Sequence, residues 1–217
     1  RKELMTRIDN AVFPALQGGP HNHQIAAVAV ALREAATPQF KTYSQNVIRN
    51  ADTLATELVA KGHTLTTGGT ENHLLLWDVR PLGLTGNKLE KVLEMIHITT
   101  NKNSLPGDTS AVNPGGVRIG TPALTTRGFG REDFVRVAVL LDRGCTLALD
   151  AQEIARKEAT KAQELVGEDG DHNKTTTKVL LKDFLRVFQV NDEIQRRVED
   201  LKEEVSTFAA AFPMMSK

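Results

Sequence analysis

Gly18 and Gly19 stand between Gln17 and Pro20, directly ahead of His21-Asn22-His23. Two neighbouring residues without side chains can take positive φ and let a ligand approach the backbone, so their N–H groups can converge on an anion such as a phosphate. The same Gly-Gly-Pro string is also an ordinary turn. Arg118, between Val117 and Ile119, reads as a mid-strand guanidinium that must find an anion or face solvent. Its planar fork suits a carboxylate, whether that belongs to a ligand or to an internal Asp or Glu. Arg127 lies close to the start of a helix, where the positive dipole end disfavours an unpaired cation, so an anionic partner is expected. His21 and His23 suggest a metal pair, but a two-residue spacing at a helix start does not put both imidazoles on one face, and no Cys or carboxylate cluster completes a ligand set. No metal is expected. Cys145, the only cysteine, falls in an apolar helical pattern and reads as a buried structural thiol.

The elements that position these residues follow from apolar spacing. Ile25, Val28, Ala29 and Leu32 recur at helical intervals, so the glycine pair leads into a helix. Thr37 caps a second helix with Pro38 at its first position, and Phe40, Tyr43, Val47, Ala51, Leu54 and Leu58 carry it to Gly62. Residues 63–66 and 73–79 read as strands around the turn Thr67-Gly68-Gly69-Thr70, with Leu74-Leu75-Leu76-Trp77 as a continuously buried run. Thr85 caps a short helix faced by Leu89, Val92, Leu93 and Ile96, after which residues 97–100 resume extended structure. Residues 117–119 form a further strand, and Phe134, Val137, Leu141, Cys145 and Ala148 mark a long helix from Arg131. Residues 153–178 are polar and charged, predicting a helix extension and then a mobile loop around Gly167-Glu168-Asp169-Gly170-Asp171. Ile194, Val198, Leu201, Val205, Phe208 and Phe212 predict a closing helix docked by one face. This order gives an α+β fold, a small, mainly antiparallel sheet covered by helices.

Composition excludes several classes. With 27 basic and 27 acidic residues, no overall field draws the chain to nucleic acid or to an anionic membrane. The longest apolar stretch, residues 25–32, is far short of the roughly 20 residues a bilayer span needs. The chain opens at Arg1 without a methionine, so cytoplasmic, mitochondrial and plastid addresses all stay open.

Three stretches, taken in order, resemble the serine hydroxymethyltransferase family, and its eukaryotic members more than its bacterial ones. They are residues 12–23 (VFPALQGGPHNH), 100–103 (TNKN) and 115–129 (GGVRIGTPALTTRGF). The resemblance continues to the Phe208–Pro213 ending, is weakest over 151–178, and covers only the family's second half. It implies the C-terminal part of a fold type I pyridoxal-phosphate enzyme, with 1–37 as the tail of the large cofactor-binding domain and 38–217 as the small domain. It implies further that Arg118 binds the carboxylate of the amino-acid substrate and that Gly18 and Gly19 offer main-chain donors to the cofactor phosphate held by a neighbouring subunit. Both would then face one cofactor cleft of a homodimer or homotetramer. Phe13 and Asn103 would line the pterin end of the folate substrate, against the alternatives of a core Phe and a turn-forming Asn. Arg127 reads as a support for the site, with direct substrate contact left open as the alternative.

The family interconverts serine plus tetrahydrofolate with glycine plus 5,10-methylenetetrahydrofolate. Its cofactor-anchoring lysine follows a threonine run and then a histidine; Thr175-Thr176-Thr177-Lys178 lacks the histidine and sits too near the far end, so Lys178 reads as a solvated lysine. The lysine, the ring-stacking histidine and the partner of the pyridine nitrogen are expected upstream of Arg1, and this chain alone is expected to be inert. The alternative is a non-catalytic interaction or regulatory subunit derived from the family. An aminotransferase of similar architecture would keep a carboxylate-binding arginine, but not the His21-Asn22-His23 loop or Asn101-Lys102-Asn103.

Overall fold

Apolar stripes that find no core dominate the first forty residues. The computed structural model describes residues 2–110, 112–166 and 179–214. They divide into two compact units, Arg1–Thr42 and Tyr43–Lys217. In the first, α1 (Lys2–Asn10) runs into a distorted turn, Ala11–Leu16, where Phe13 is extended and the Phe13–Pro14 peptide is cis, and α2 (Asn22–Ala35) follows. Leu4, Ile8, Ile25, Val28 and Leu32 have the helical spacing that should bury them, yet each is more than half exposed. No described residue of α1, the turn or α2 is buried.

Helix α3 (Pro38–Ala60) contains the division between the two units. Thr37 caps it as its sequence suggests, the Phe40 N–H donating to Thr37 Oγ1 at 3.2 Å. Gly62, at φ +88°, turns the chain out at the other end. Val47, Ala51, Leu54 and Leu58 are buried, while Phe40, in the first unit, is 41% exposed.

The second unit is built on a four-stranded, wholly antiparallel sheet of β1 (Thr64–Leu65), β2 (Leu74–Asp78), β3 (Asn101–Asn103) and β4 (Gly116–Gly120), in the order β1-β2-β4-β3. Leu65, Leu75, Trp77 and Val117 point to one face and are buried. They join the core formed with Leu89, Val92 and Leu93 of α4 (Gly86–Met95), with Ile96 just after it, and with Phe134, Leu141, Cys145 and Ala148 of α6 (Arg131–Val166). Leu74 and Leu76, expected to be buried, are only half-buried. Strand alternation turns them to the opposite face, which carries no apolar core.

Residues 97–100 also depart from expectation. His97 takes φ 63°, Ile98 N–H bonds back to the Leu93 carbonyl at 2.8 Å, and the strand begins only at Asn101. A short α5 (Pro122–Thr126) follows β4. The chain closes with α7 (Leu181–Val190), for which the sequence reading assigned no element, and the docked α8 (Asp192–Ala210). Helix α6 runs unbroken to Val166, as the expected extension requires. The loop expected around 167–171 and Lys178 lie outside the described residues.

Cys145 has no exposed surface, and burial, reinforced by the Asp142 charge, pushes its thiol up to about 12. The reactive thiolate is thus scarce at ordinary pH. Iodoacetamide at pH 8 is expected to leave Cys145 unmodified in the folded protein and to label it fully in urea, as read by intact mass.

Candidate functional site

The sheet face turned away from the core collects the polar residues. Residues directly opposite in an antiparallel pair share a face, with Cβ atoms about 4.5–5.5 Å apart. Arg118 stands between Leu76 of β2 and Asn101 of β3; Gly116, two residues earlier on the same face, stands between Asp78 and Asn103. Arg118, Asn101 and Asn103 are thereby brought to one surface. Arg118 is exposed, and among the described residues it has no hydrogen bond or ion pair, so no Asp or Glu among them is its partner. Within its own unit the guanidinium is exposed, beside the half-buried Leu76 across the strand pair. Asn103 is half-buried at the end of β3, its Nδ2 donating to the Ser104 carbonyl at 2.8 Å, so the structure places it in a strand and not in a turn.

A brace that the sequence reading missed fixes the start of β4. Arg80 grips Asp78 with two hydrogen bonds, Nε to Oδ1 at 3.0 Å and Nη2 to Oδ2 at 2.7 Å. Its Nη1 reaches the Pro106 carbonyl at 3.0 Å and Asp108 Oδ1 at 3.3 Å. Asp108 Oδ2 accepts from the N–H groups of Leu105 at 2.8 Å and Gly115 at 2.7 Å. The Arg80 guanidinium holds the Asp78 carboxyl below the usual carboxylate range, and the Gly115 and Leu105 N–H groups do the same for Asp108. These depressed values mean that both carboxylates stabilise the brace above the ordinary carboxylate pKa and lose that contribution as pH falls through their own. Gly115 and Gly116 are glycines for space: a Cβ on the first would lie 2.5 Å from Arg80 Cδ, and on the second 2.6 Å from Leu105 Cδ2. The turn signal Pro106-Gly107-Asp108 was the visible clue to the brace.

In the first unit, neither Gly18 nor Gly19 takes positive φ, and a Cβ on either would meet nothing within 4 Å. The corner is instead shaped by the Gln17 N–H bond to the Val12 carbonyl at 2.7 Å and by Gln17 Nε2 bonding the Gly19 carbonyl at 3.3 Å. Phe13 is 64% exposed, so it is no core residue of this unit. The His21 and His23 rings lie roughly parallel with centroids 6.2 Å apart, closer than helical spacing suggests, because His21 caps α2 from outside the helix. His21 Nδ1 pairs with Gln24 Oε1 at 2.9 Å. Among the described residues no group of three or more His, Cys, Asp or Glu is placed to hold a metal ion.

Among the described residues Arg127 has no carboxylate partner. It ends α5 where Gly128 turns at φ +93°, and its Nη2 donates to the carbonyls of Ala209 at 2.6 Å and Phe212 at 2.9 Å. Its partner is thus the negative dipole end of α8, where a cation is favoured. Phe212 stacks on Phe129 with centroids 3.7 Å apart, so the end of α8 is fastened to the turn after α5.

Residues 1–141 match the family model described as serine hydroxymethyltransferase. The chain is 47% identical over 208 residues to serine hydroxymethyltransferase 4 of Arabidopsis thaliana, covering 96% of this chain and 39% of that protein. It is 44% identical over 211 residues to the cytosolic serine hydroxymethyltransferase of Oryctolagus cuniculus, covering 97% and 40%. The chain belongs to the serine hydroxymethyltransferase family. It spans about two fifths of the length of these curated relatives. Relatives' names include mitochondrial, chloroplastic and cytosolic forms, so no single compartment is supported. Among the described residues no helix is long and apolar enough to cross a membrane. All six residues singled out from the family resemblance, Phe13, Gly18, Gly19, Asn103, Arg118 and Arg127, fall inside the stretch that the serine hydroxymethyltransferase model matches.

Proposed function

We propose that this chain is the C-terminal portion of a serine hydroxymethyltransferase, an enzyme of fold type I that interconverts serine plus tetrahydrofolate with glycine plus 5,10-methylenetetrahydrofolate. In this reading the tail of the large domain gives way to the small domain near α3, and the complete protein is a homodimer or homotetramer. Arg118 binds the amino-acid carboxylate and orients the substrate. The observation that carries this is an unpaired guanidinium on an open sheet face, flanked by Asn101 and with Asn103 on the same surface. An exposed cation without an internal anion keeps its fork available for an incoming carboxylate.

The donor set also fits pyridoxal phosphate shared between subunits. The Gly18-Gly19 corner has open space where side chains would stand, so a phosphate can come close to its backbone. When bound, that cofactor supplies an electron sink for the bonds at the substrate's α-carbon. Phe13, exposed beside the corner, and Asn103, beside Arg118, line the pterin end of the folate substrate. Arg127 holds the end of α8 against the turn that follows the Arg118 strand. The unburied apolar residues of α1 and α2 supply the surface that packs on the rest of the large domain.

Because the threonine run before Lys178 lacks the histidine of the family's anchoring motif, the 217-residue chain by itself is inert. Purified alone, it is expected to bind no pyridoxal phosphate by absorbance and to show no serine cleavage. A yellow, active species whose intact mass is that of this chain would contradict the reading.

A further inference from the structure

Beyond Arg118 the central strand loses one of its neighbours. Pairing between β3 and β4 reaches only from Gly116 to Arg118, whereas β2 continues to Leu74, opposite Gly120. The end of β4 is held instead by a polar seam from α3. Thr121, with no exposed surface, donates its hydroxyl to the Val47 carbonyl at 2.8 Å, with the His73 carbonyl at 3.3 Å, and its N–H donates to His73 at 3.0 Å. Behind it, Asn50, only 3% exposed, donates from Nδ2 to Thr125 Oγ1 at 2.9 Å and to the Phe129 carbonyl at 3.1 Å. The Thr125 hydroxyl donates in turn to the Thr121 carbonyl at 2.9 Å. Three groups thus bond the residue that follows β4: the Val47 and His73 carbonyls, distant in sequence, and the Thr125 hydroxyl one helical turn on, which Asn50 backs.

We infer that Thr121 is a positioning residue for amino-acid binding: its hydroxyl, tied to the α3 backbone and backed by Asn50 and Thr125, fixes the end of β4 and so the direction in which Arg118 presents its guanidinium. This rests on the reading of Arg118 as the carboxylate site. A carboxylate fork is directional, and a binding group serves only if its support holds it within a fraction of an ångström. Trp77, Val117 and Leu75 fix the core side of the sheet, but Arg118 lies on the other side, exposed and without a hydrogen bond or ion pair among the described residues. The backbone must therefore do the aiming, and the seam is what steadies it past the last β3 pair.

The test uses the complete enzyme and reads glycine affinity by calorimetry, together with hydrogen exchange at the amides of residues 117–120. Thr121→Val keeps the shape and removes the hydroxyl; Thr121→Ser keeps the hydroxyl. The Val variant is expected to bind glycine roughly three- to tenfold more weakly, the loss that follows from one buried hydrogen bond, and to exchange faster at 117–120. The Ser variant is expected to restore both. On an Arg118→Ala background, Thr121→Val is expected to cost no further affinity. Where Thr121→Val does not fold, Thr125→Val, at a half-buried position, carries the same expectation, with Thr125→Ser as its control. If Arg118→Ala weakens glycine while the Val variants do not, or if they weaken it equally on both backgrounds, the inference about the seam is overturned and the carboxylate reading stands. If Arg118→Ala leaves glycine affinity untouched, the carboxylate reading itself fails.

Discussion

Arg118→Ala, made in the complete enzyme, is expected to weaken both glycine and serine binding about 10- to 150-fold, with folding stability unchanged to within about 0.5 kcal/mol. The first figure follows from losing a hydrogen-bonded charge pair, about 1.5–3 kcal/mol. The second follows from the residue's surroundings: an exposed side chain with no partner among the described residues contributes little to the fold. Equilibrium titration and a urea unfolding curve, run on the same preparation, separate the two. Loss of stability in parallel with affinity would mean that Arg118 braces the sheet; unchanged affinity would remove its binding role. Arg118→Lys is expected to recover only part of the affinity, since an ammonium keeps the charge but not the planar fork.

Gly86→Ala is expected to do the reverse, destabilising the sheet domain without altering any side chain assigned to the site. A Cβ at Gly86 would lie 2.1 Å from the Gly116 carbonyl oxygen and 2.9 Å from its carbon, and both are backbone atoms of the central strand. Neither side can yield cheaply, because the Gly86 N–H is already bonded to the Pro114 carbonyl at 2.7 Å and β4 is paired on both sides at Gly116. Overpacking that forces backbone apart costs about 3 kcal/mol or more. That is a large part of the stability of a small domain. The urea midpoint should fall accordingly with an unchanged slope. Gly18→Ala and Gly19→Ala make the natural comparison: with open space at both, the midpoint should hold, and any loss of cofactor there would report on binding. A Gly86→Ala protein with a normal midpoint would show that α4 and β4 are packed less closely than described.

What was legible in the sequence was mostly what a single element dictates for itself. Leu89, Val92 and Leu93 of α4, with Ile96 just after it, and the long stripe of α6, were read from helical spacing because each buries one face against a core that the spacing implies. The strand Leu74–Trp77 was placed but misjudged as buried throughout; whether a sheet has one covered face or two depends on where the helices go, and a run of leucines does not report that. Arg127 was misjudged for a similar reason. Its distance from α6 suggested an N-terminal position, but the left-handed turn at Gly128 makes it the end of α5, and its partners are carbonyls of residues more than eighty positions away. The Arg80 brace and the Asn50–Thr125–Thr121 seam have no periodic signature at all. They join polar residues across long separations, and only the fold brings those together. α7 is the exception, since Phe184, Val187 and Phe188 have helical spacing that was available to be read. As for the site, residue types pointed to Arg118 and to the glycine corner, while their roles came from the resemblance to serine hydroxymethyltransferases.

The central claim is that Arg118 recognises the carboxylate of the amino-acid substrate, and deleting the carboxylate from the ligand tests it most directly. Glycine and methylamine, which lacks only that group, are titrated into the complete enzyme in its wild-type and Arg118→Ala forms. The account predicts that the wild-type enzyme strongly prefers glycine and that Arg118→Ala loses most of this preference by binding glycine worse, with methylamine unaffected. An Arg118→Ala enzyme that still prefers glycine by the wild-type factor would contradict it.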